Sequence, residues 1–129
     1  MALGGRADAP HLPRPAPIDA YGDGGFRFAG MSHRGSLLCF PDGIWAWPVN
    51  GVAELDAHML SAAFERAESL DFFLIGTGRE SWVLPAHLRD HFRELSLSVD
   101  EMATGAAVRT YNILLAENRR VGAGLIAVA

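Results

Sequence analysis

Four apolar residues without alternation, Phe72 to Ile75, run straight into Gly76-Thr77-Gly78. Such a run suits a strand buried on both faces, as in the middle of a parallel sheet. The glycines behind it allow a tight turn with exposed backbone. Upstream the pattern differs. Phe26-Arg27-Phe28 alternates like a half-exposed strand, with a turn at Gly24-Gly25 before it. Ser36 to Phe40 and Ile44 to Trp47 predict a hairpin across Pro41-Asp42-Gly43. Trp47-Pro48 ends it, because proline cannot donate to a ladder. Asn50-Gly51 marks a further turn. Asp56 is placed to cap a helix whose face carries Leu60, Ala63, Phe64 and Ala67. Pro85 opens a second helix, to Glu94, with the stripe Leu88, Phe92 and Leu95. Leu95 to Val99 reads as a short strand. Asp100 and Glu101 read as the start of a third helix, with Ala103, Ala107, Thr110 and Leu114 inward. Asn118 is a left-handed end residue, and Val121 to Val128 is a closing strand.

Strand, helix, strand, helix, strand implies parallel strands joined by right-handed crossovers. The expectation is one α/β domain over residues 18–129, with a mixed central sheet and an N-terminal antiparallel β meander. Residues 1–17 hold Pro10, Pro13, Pro15 and Pro17 and read as a flexible Pro-rich tail.

Composition narrows the partners. The 129 residues fit one domain. Net charge is −4, and the 11 basic residues are all arginine, without a cluster. That argues against nucleic acid and anionic membrane. No apolar run reaches the roughly 18 residues of a membrane-spanning helix, so no membrane insertion is expected. No secretory signal or amphipathic presequence is read in the first residues. Cys39, the single cysteine, lies in an apolar strand and reads as a small buried hydrophobe. The absence of an internal disulfide fits a reducing compartment, so the chain reads as cytoplasmic.

Phe73-Leu74-Ile75-Gly76-Thr77-Gly78, Val99 to Ala107, Arg109 to Leu114 and Glu117 to Val121 stand in an order and spacing that resemble a known family. The hairpin from Leu38 to Trp47 fits it too. The family includes mitochondrial complex I assembly factor 3, an adipogenesis-associated domain protein and many uncharacterised bacterial and archaeal proteins. The resemblance covers roughly residues 18–127. It implies a single α/β domain with a mixed sheet. The mitochondrial member is a non-catalytic helper in respiratory complex I assembly, and the bacterial type has no established reaction.

The strongest chemical candidate is the loop Gly76, Thr77, Gly78 and Arg79. In open α/β sheets ligands sit beyond the carboxyl ends of the strands. A dinucleotide fingerprint fails, because Ser81 stands where its third glycine belongs. Backbone N–H groups of the loop remain able to hold an anion, with Arg79 as a bidentate donor; the other reading is a turn that needs glycine for its geometry. Thr104, Arg109 and Asn112 share the last helix. They read as a grip for a carboxylate or a partner, or as ordinary internal bonds. His87 and His91 share a helix face, but no third ligand is placed and the zinc-protease spacing is absent. Trp45 and Trp47 fall on one side of the hairpin and, with Trp82, read as core or as a partner surface.

No Ser-His-Asp or Cys-His set has a signature, so no catalytic residue, metal or cofactor is expected. The leading functional expectation is a non-enzymatic protein-interaction or assembly-helper domain with a protein partner. The alternative is an anionic-ligand binding protein or enzyme using the Gly76–Arg79 crevice.

Overall fold

Phe72–Gly76 forms β6, and it lies inside a five-stranded sheet. The computed structural model describes residues 9–129. On one side β6 pairs in parallel with β7 (Ser98–Met102), on the other with β8 (Val121–Leu125). β8 then pairs antiparallel with β4 (Ser36–Phe40), and β4 with β5 (Gly43–Trp47). The order is β5-β4-β8-β6-β7, a mixed sheet in a single α/β unit. The unalternated run Phe72 to Ile75 is therefore an interior strand.

Three further strands, β1 (Ala20–Gly22), β2 (Gly25–Phe28) and β3 (Met31–Arg34), form a separate antiparallel sheet. Asp23 and Gly24 link β1 to β2, and Ala29 and Gly30 link β2 to β3. All four have positive φ, the geometry of two-residue hairpin turns that follow the strand twist. The sequence pattern had shown only the middle strand.

Helices lie on both faces of the large sheet. α1 (Ser61–Glu65) and α2 (Ala86–Glu94) cover the face carrying Leu38, Phe40, Phe73 and Ile75. α3 (Thr104–Ala116) and the small sheet cover the face carrying Leu37, Cys39 and Leu74. α2 joins β6 to β7 on one face. α3 returns from β7 to β8, past β6, on the other face. Reversing direction while changing face is what a constant crossover hand requires.

Two expected boundaries move. Asp100 and Glu101 do not open a helix; they lie in β7, and α3 starts at Thr104. The strand read at Leu95 to Val99 begins at Ser98 instead. The reason is the end of α2. Ser96 takes a left-handed conformation, φ 57°. Its N–H bonds to Arg93 O at 3.0 Å, and Leu97 N to Phe92 O at 3.0 Å. That is a Schellman closure, so Leu95 and Ser96 belong to the helix end. Asn118 closes α3 in the same way, as its sequence position predicts, with φ 63° and Arg119 N bonded to Leu114 O at 3.0 Å. The regular part of α1 is short, but Asp56 Oδ1 does accept from Met59 N at 2.8 Å.

Residues 9–17 lie against the domain. His11 N bonds to Ile44 O at 2.8 Å, Ile44 N to Leu12 O at 2.9 Å, and Ala16 is buried. The part of the tail expectation that concerns residues 1–8 falls outside the described residues.

Candidate functional site

β6 ends where α3 begins, and the loop between them is held from several directions. Thr104 is fully buried. Its hydroxyl donates to Ile126 O at 2.7 Å and accepts from Gly78 N at 2.9 Å. Its own N–H bonds to Gly78 O at 2.8 Å. Thr77 N bonds to Met102 O at 2.8 Å, and Thr77 Oγ1 donates to Glu80 O at 2.6 Å. Gly76 has no room for a side chain: a Cβ there would sit 3.0 Å from Thr104 Oγ1 and 3.1 Å from Thr104 Cα. Gly78 has φ 98°, a conformation that favours glycine. These residues knit the strand end to the helix start.

Above this knot lies a hollow of ≈ 320 Å³, walled by Tyr21, Gly78, Arg79, Ala103, Gly105 and Arg109. It brings together Gly78, Arg79 and Arg109. Thr104 lies beneath its floor, and Gly76 and Thr77 point elsewhere. Asn112 spends both ends of its amide on Ile18. Arg79 is exposed and donates to Ala129 O at 3.1 Å. Arg109 is exposed and makes no ion pair among the described residues. Ala103 at the N-cap of α3 offers no side-chain cap, so the positive end of the helix faces the hollow. Tyr21 was not foreseen, because its strand has no periodic signal. Its hydroxyl rests on Gly105, where a Cβ would approach it to 2.3 Å.

A second, larger hollow of ≈ 600 Å³ lies between β5 and α1. Trp45, Met59 and Ala62 wall it over buried Phe40 and Trp47, together with the polar side chains of His58, Ser61, Glu65 and Arg66. Trp45 and Trp47 share this side, as their spacing predicts. Trp47 is buried and donates from Nε1 to Met59 O at 2.9 Å. Trp45 is half-buried. The Arg66 guanidinium lies 4.4 Å from the Phe40 ring centre and 4.9 Å from that of Trp45. It also forks onto Asp42 at 3.0 and 3.1 Å, and that bond holds the Asp42 carboxyl below its ordinary range against an opposing effect of burial.

The family described as "Protein of unknown function (DUF498/DUF598)" matches residues 18–126. The chain belongs to this family. An uncharacterised protein of Rhodobacter capsulatus is 39% identical over 110 residues, covering 85% of this chain and 83% of that protein. The bovine NADH dehydrogenase (ubiquinone) 1 alpha subcomplex assembly factor 3 is 27% identical over 109 residues. That match covers 84% of this chain and 59% of the bovine protein. A crystal structure from Bartonella henselae, described as an outer membrane protein, aligns with a TM-score of 0.88 at 50% identity. It covers 92% of this chain and 100% of that one. The resemblance read from the sequence thus holds for the family and for its mixed α/β fold.

Cys39 is fully buried, and burial pushes its thiol up to about 12, with the Tyr111 hydroxyl acting in the opposite sense. A thiol held protonated is a poor nucleophile. Among the described residues no three His, Cys, Asp or Glu side chains gather as a metal-binding group. His91 stacks on Phe64 with ring centres 3.9 Å apart. No described helix is long and apolar enough to cross a membrane.

Proposed function

We propose that this chain is a non-catalytic protein-interaction domain that helps a larger complex assemble, working in the cytoplasm. One observation carries the reading: the ≈ 600 Å³ hollow between β5 and α1 sets half-buried Trp45 beside His58, Glu65 and Arg66. An aromatic side chain set among polar and charged groups, an arginine included, suits a protein contact surface. The name of the bovine relative, an assembly factor, points the same way. The test is affinity purification of the tagged chain from its native cell, beside an Ala62→Arg variant that fills the hollow. A specific protein retained by the native chain and lost on the variant is the expected result. Reproducible turnover of a metabolite, abolished by Arg79→Ala, overturns the reading, as does the absence of any specific partner.

A second reading rests on Arg79 and Arg109 beside the uncapped start of α3. Two guanidinium groups and a helix N-terminus suit an anionic small molecule. Here acidic metabolites or nucleotides raise the melting temperature by binding the native state, and Arg109→Ala removes the shift. A screen without a hit at physiological concentration counts against it.

A further inference from the structure

We propose that residues 9–15 form an acid-released strap: the rings of His11 and His33, which meet where the strap crosses the small sheet, let it lie on β5 while they are neutral and drive it off Ile44 once both are protonated. The device stands whether or not the chain binds a protein.

The strap is tied at one place. His11 N–H donates to Ile44 O at 2.8 Å, and Leu12 O accepts from Ile44 N at 2.9 Å. Pro10, Pro13 and Pro15 have no N–H to give. Among the described residues, 9–15 make no other backbone–backbone bond to the rest of the domain. Gly43 admits the strap, since a Cβ there would lie 2.8 Å from Leu12 O. Further along, the chain is held by Tyr111 on Ala16 and by Asn112 on Ile18. Ala16 is therefore the hinge of the opening.

The two histidines sit beside the tie, with ring centres 4.8 Å apart and planes tilted by 48°. His11 is exposed and His33 half-buried. His33 Nε2 lies 3.1 Å from Ser36 O. A carbonyl only accepts, so the neutral ring carries its proton on Nε2, and acid adds the second at Nδ1. Burial holds His33 below its ordinary 6.5; His11 acts in the same sense, and the bond to Ser36 O acts against both. Neighbouring charges do not offset the pair. β4 and β5 carry none. His33 pairs with Phe26, so Arg27 and Arg34 alternate onto the other face of the small sheet. Asp23 shares a hollow with those two arginines, which outnumber it. Arg14, on the strap, turns to Pro15 O.

The sign follows from linkage. A histidine held below its ordinary value while the strap is closed favours the closed form above about pH 6.5. That advantage begins to fade below about pH 6.5 and is gone once the closed-state ring is protonated.

The test is amide exchange by NMR on the full chain at about pH 7.5 and about pH 5.5, corrected for the intrinsic rate at each pH. The opening constants at Ile44 N–H and His11 N–H should rise about threefold or more in acid, while that of Leu74, inside β6, holds steady. His33→Gln should remove the rise. His11→Gln, a change at an exposed position, should reduce it and should raise the His33 pKa read from its ring-proton shifts. Equal opening of Ile44 at both pH values overturns the proposal. So does a rise that His11→Gln leaves untouched, a matching rise at Leu74, or a parting of the two rings while Ile44 stays protected.

Discussion

Asn112 holds Ile18 from both sides: its Oδ1 accepts from Ile18 N at 2.8 Å, and its Nδ2 donates to Ile18 O at 2.9 Å. The amide thus copies the bond pair of a β-ladder across 94 residues of sequence. One turn of α3 reinforces it, since Tyr111 donates from its hydroxyl to Ala16 O at 3.1 Å. Asn112→Ala leaves an N–H and a C=O of Ile18 without partners, at a cost of about 1–3 kcal/mol. Denaturant unfolding measures the loss. Amide exchange at Ile18 should quicken while that of Leu74, inside β6, tracks global unfolding. Equal exchange at Ile18 in both proteins contradicts this.

Thr104 closes the knot between β6 and α3 with a single hydroxyl. Thr104→Val keeps the shape but strands Gly78 N–H and Ile126 C=O, whose bonds to Oγ1 are 2.9 and 2.7 Å. A loss of about 2 kcal/mol or more follows from leaving buried groups unpaired. Thr104→Ser retains the hydroxyl and should recover most of it. Equal stability of the valine and serine variants sinks the argument.

Gly124 sits under the Trp47 ring. A Cβ there would lie 2.7 Å from Trp47 Cη2 and 2.8 Å from Cζ3. The indole cannot simply retreat, because its Nε1 is tied to Met59 O at 2.9 Å. Gly124→Ala therefore overpacks the core and costs about 1–3 kcal/mol. A displaced Trp47 should also redden the tryptophan emission. A variant as stable as the native chain would mean that the ring shifts freely.

Local patterns carried the fold well where one rule dominated. Phe72 to Ile75 lacks alternation because both faces of β6 are covered, one by α2 and one by α3. Asn118 ends α3 because asparagine tolerates the left-handed region. Ser96 does the same at the end of α2 with a residue that signals nothing, and the next strand moved three residues as a result. The division of the N-terminal strands into two sheets was invisible too. It depends on Gly35, at φ 97°, redirecting the chain between β3 and β4. At the site, Gly78, Arg79 and Arg109 meet because β6 ends against α3, which the predicted element order implied. The engagement of Thr104 and Asn112 with Ile126 and Ile18 was not legible, since those bonds span 22 and 94 residues.

Glu101 makes acid sensitivity a test of the packing around α2. Its side chain is 8% exposed, accepts from Leu84 N at 2.7 Å and pairs with Arg89. Burial alone would raise its pKa; the Leu84 N–H and the Arg89 guanidinium outweigh burial and hold it below the ordinary 4.5. A carboxyl with a lowered folded-state pKa stabilises the native state above the unfolded value. That contribution fades as pH falls below about 4.5 and is gone once the folded carboxyl is protonated. Stability from this group should therefore be constant near neutrality and decline in acid. Asp42 and Asp71, also held below their ordinary range, add to the same decline. The informative quantity is thus the difference between the native chain and Glu101→Gln. Glutamine keeps an acceptor for Leu84 N but carries no charge for Arg89, so the variant should be less stable at pH 7 and lose less between pH 5 and pH 3. Parallel stability curves for the two proteins over that interval would show that Glu101 is not ionised against Arg89 in the folded state.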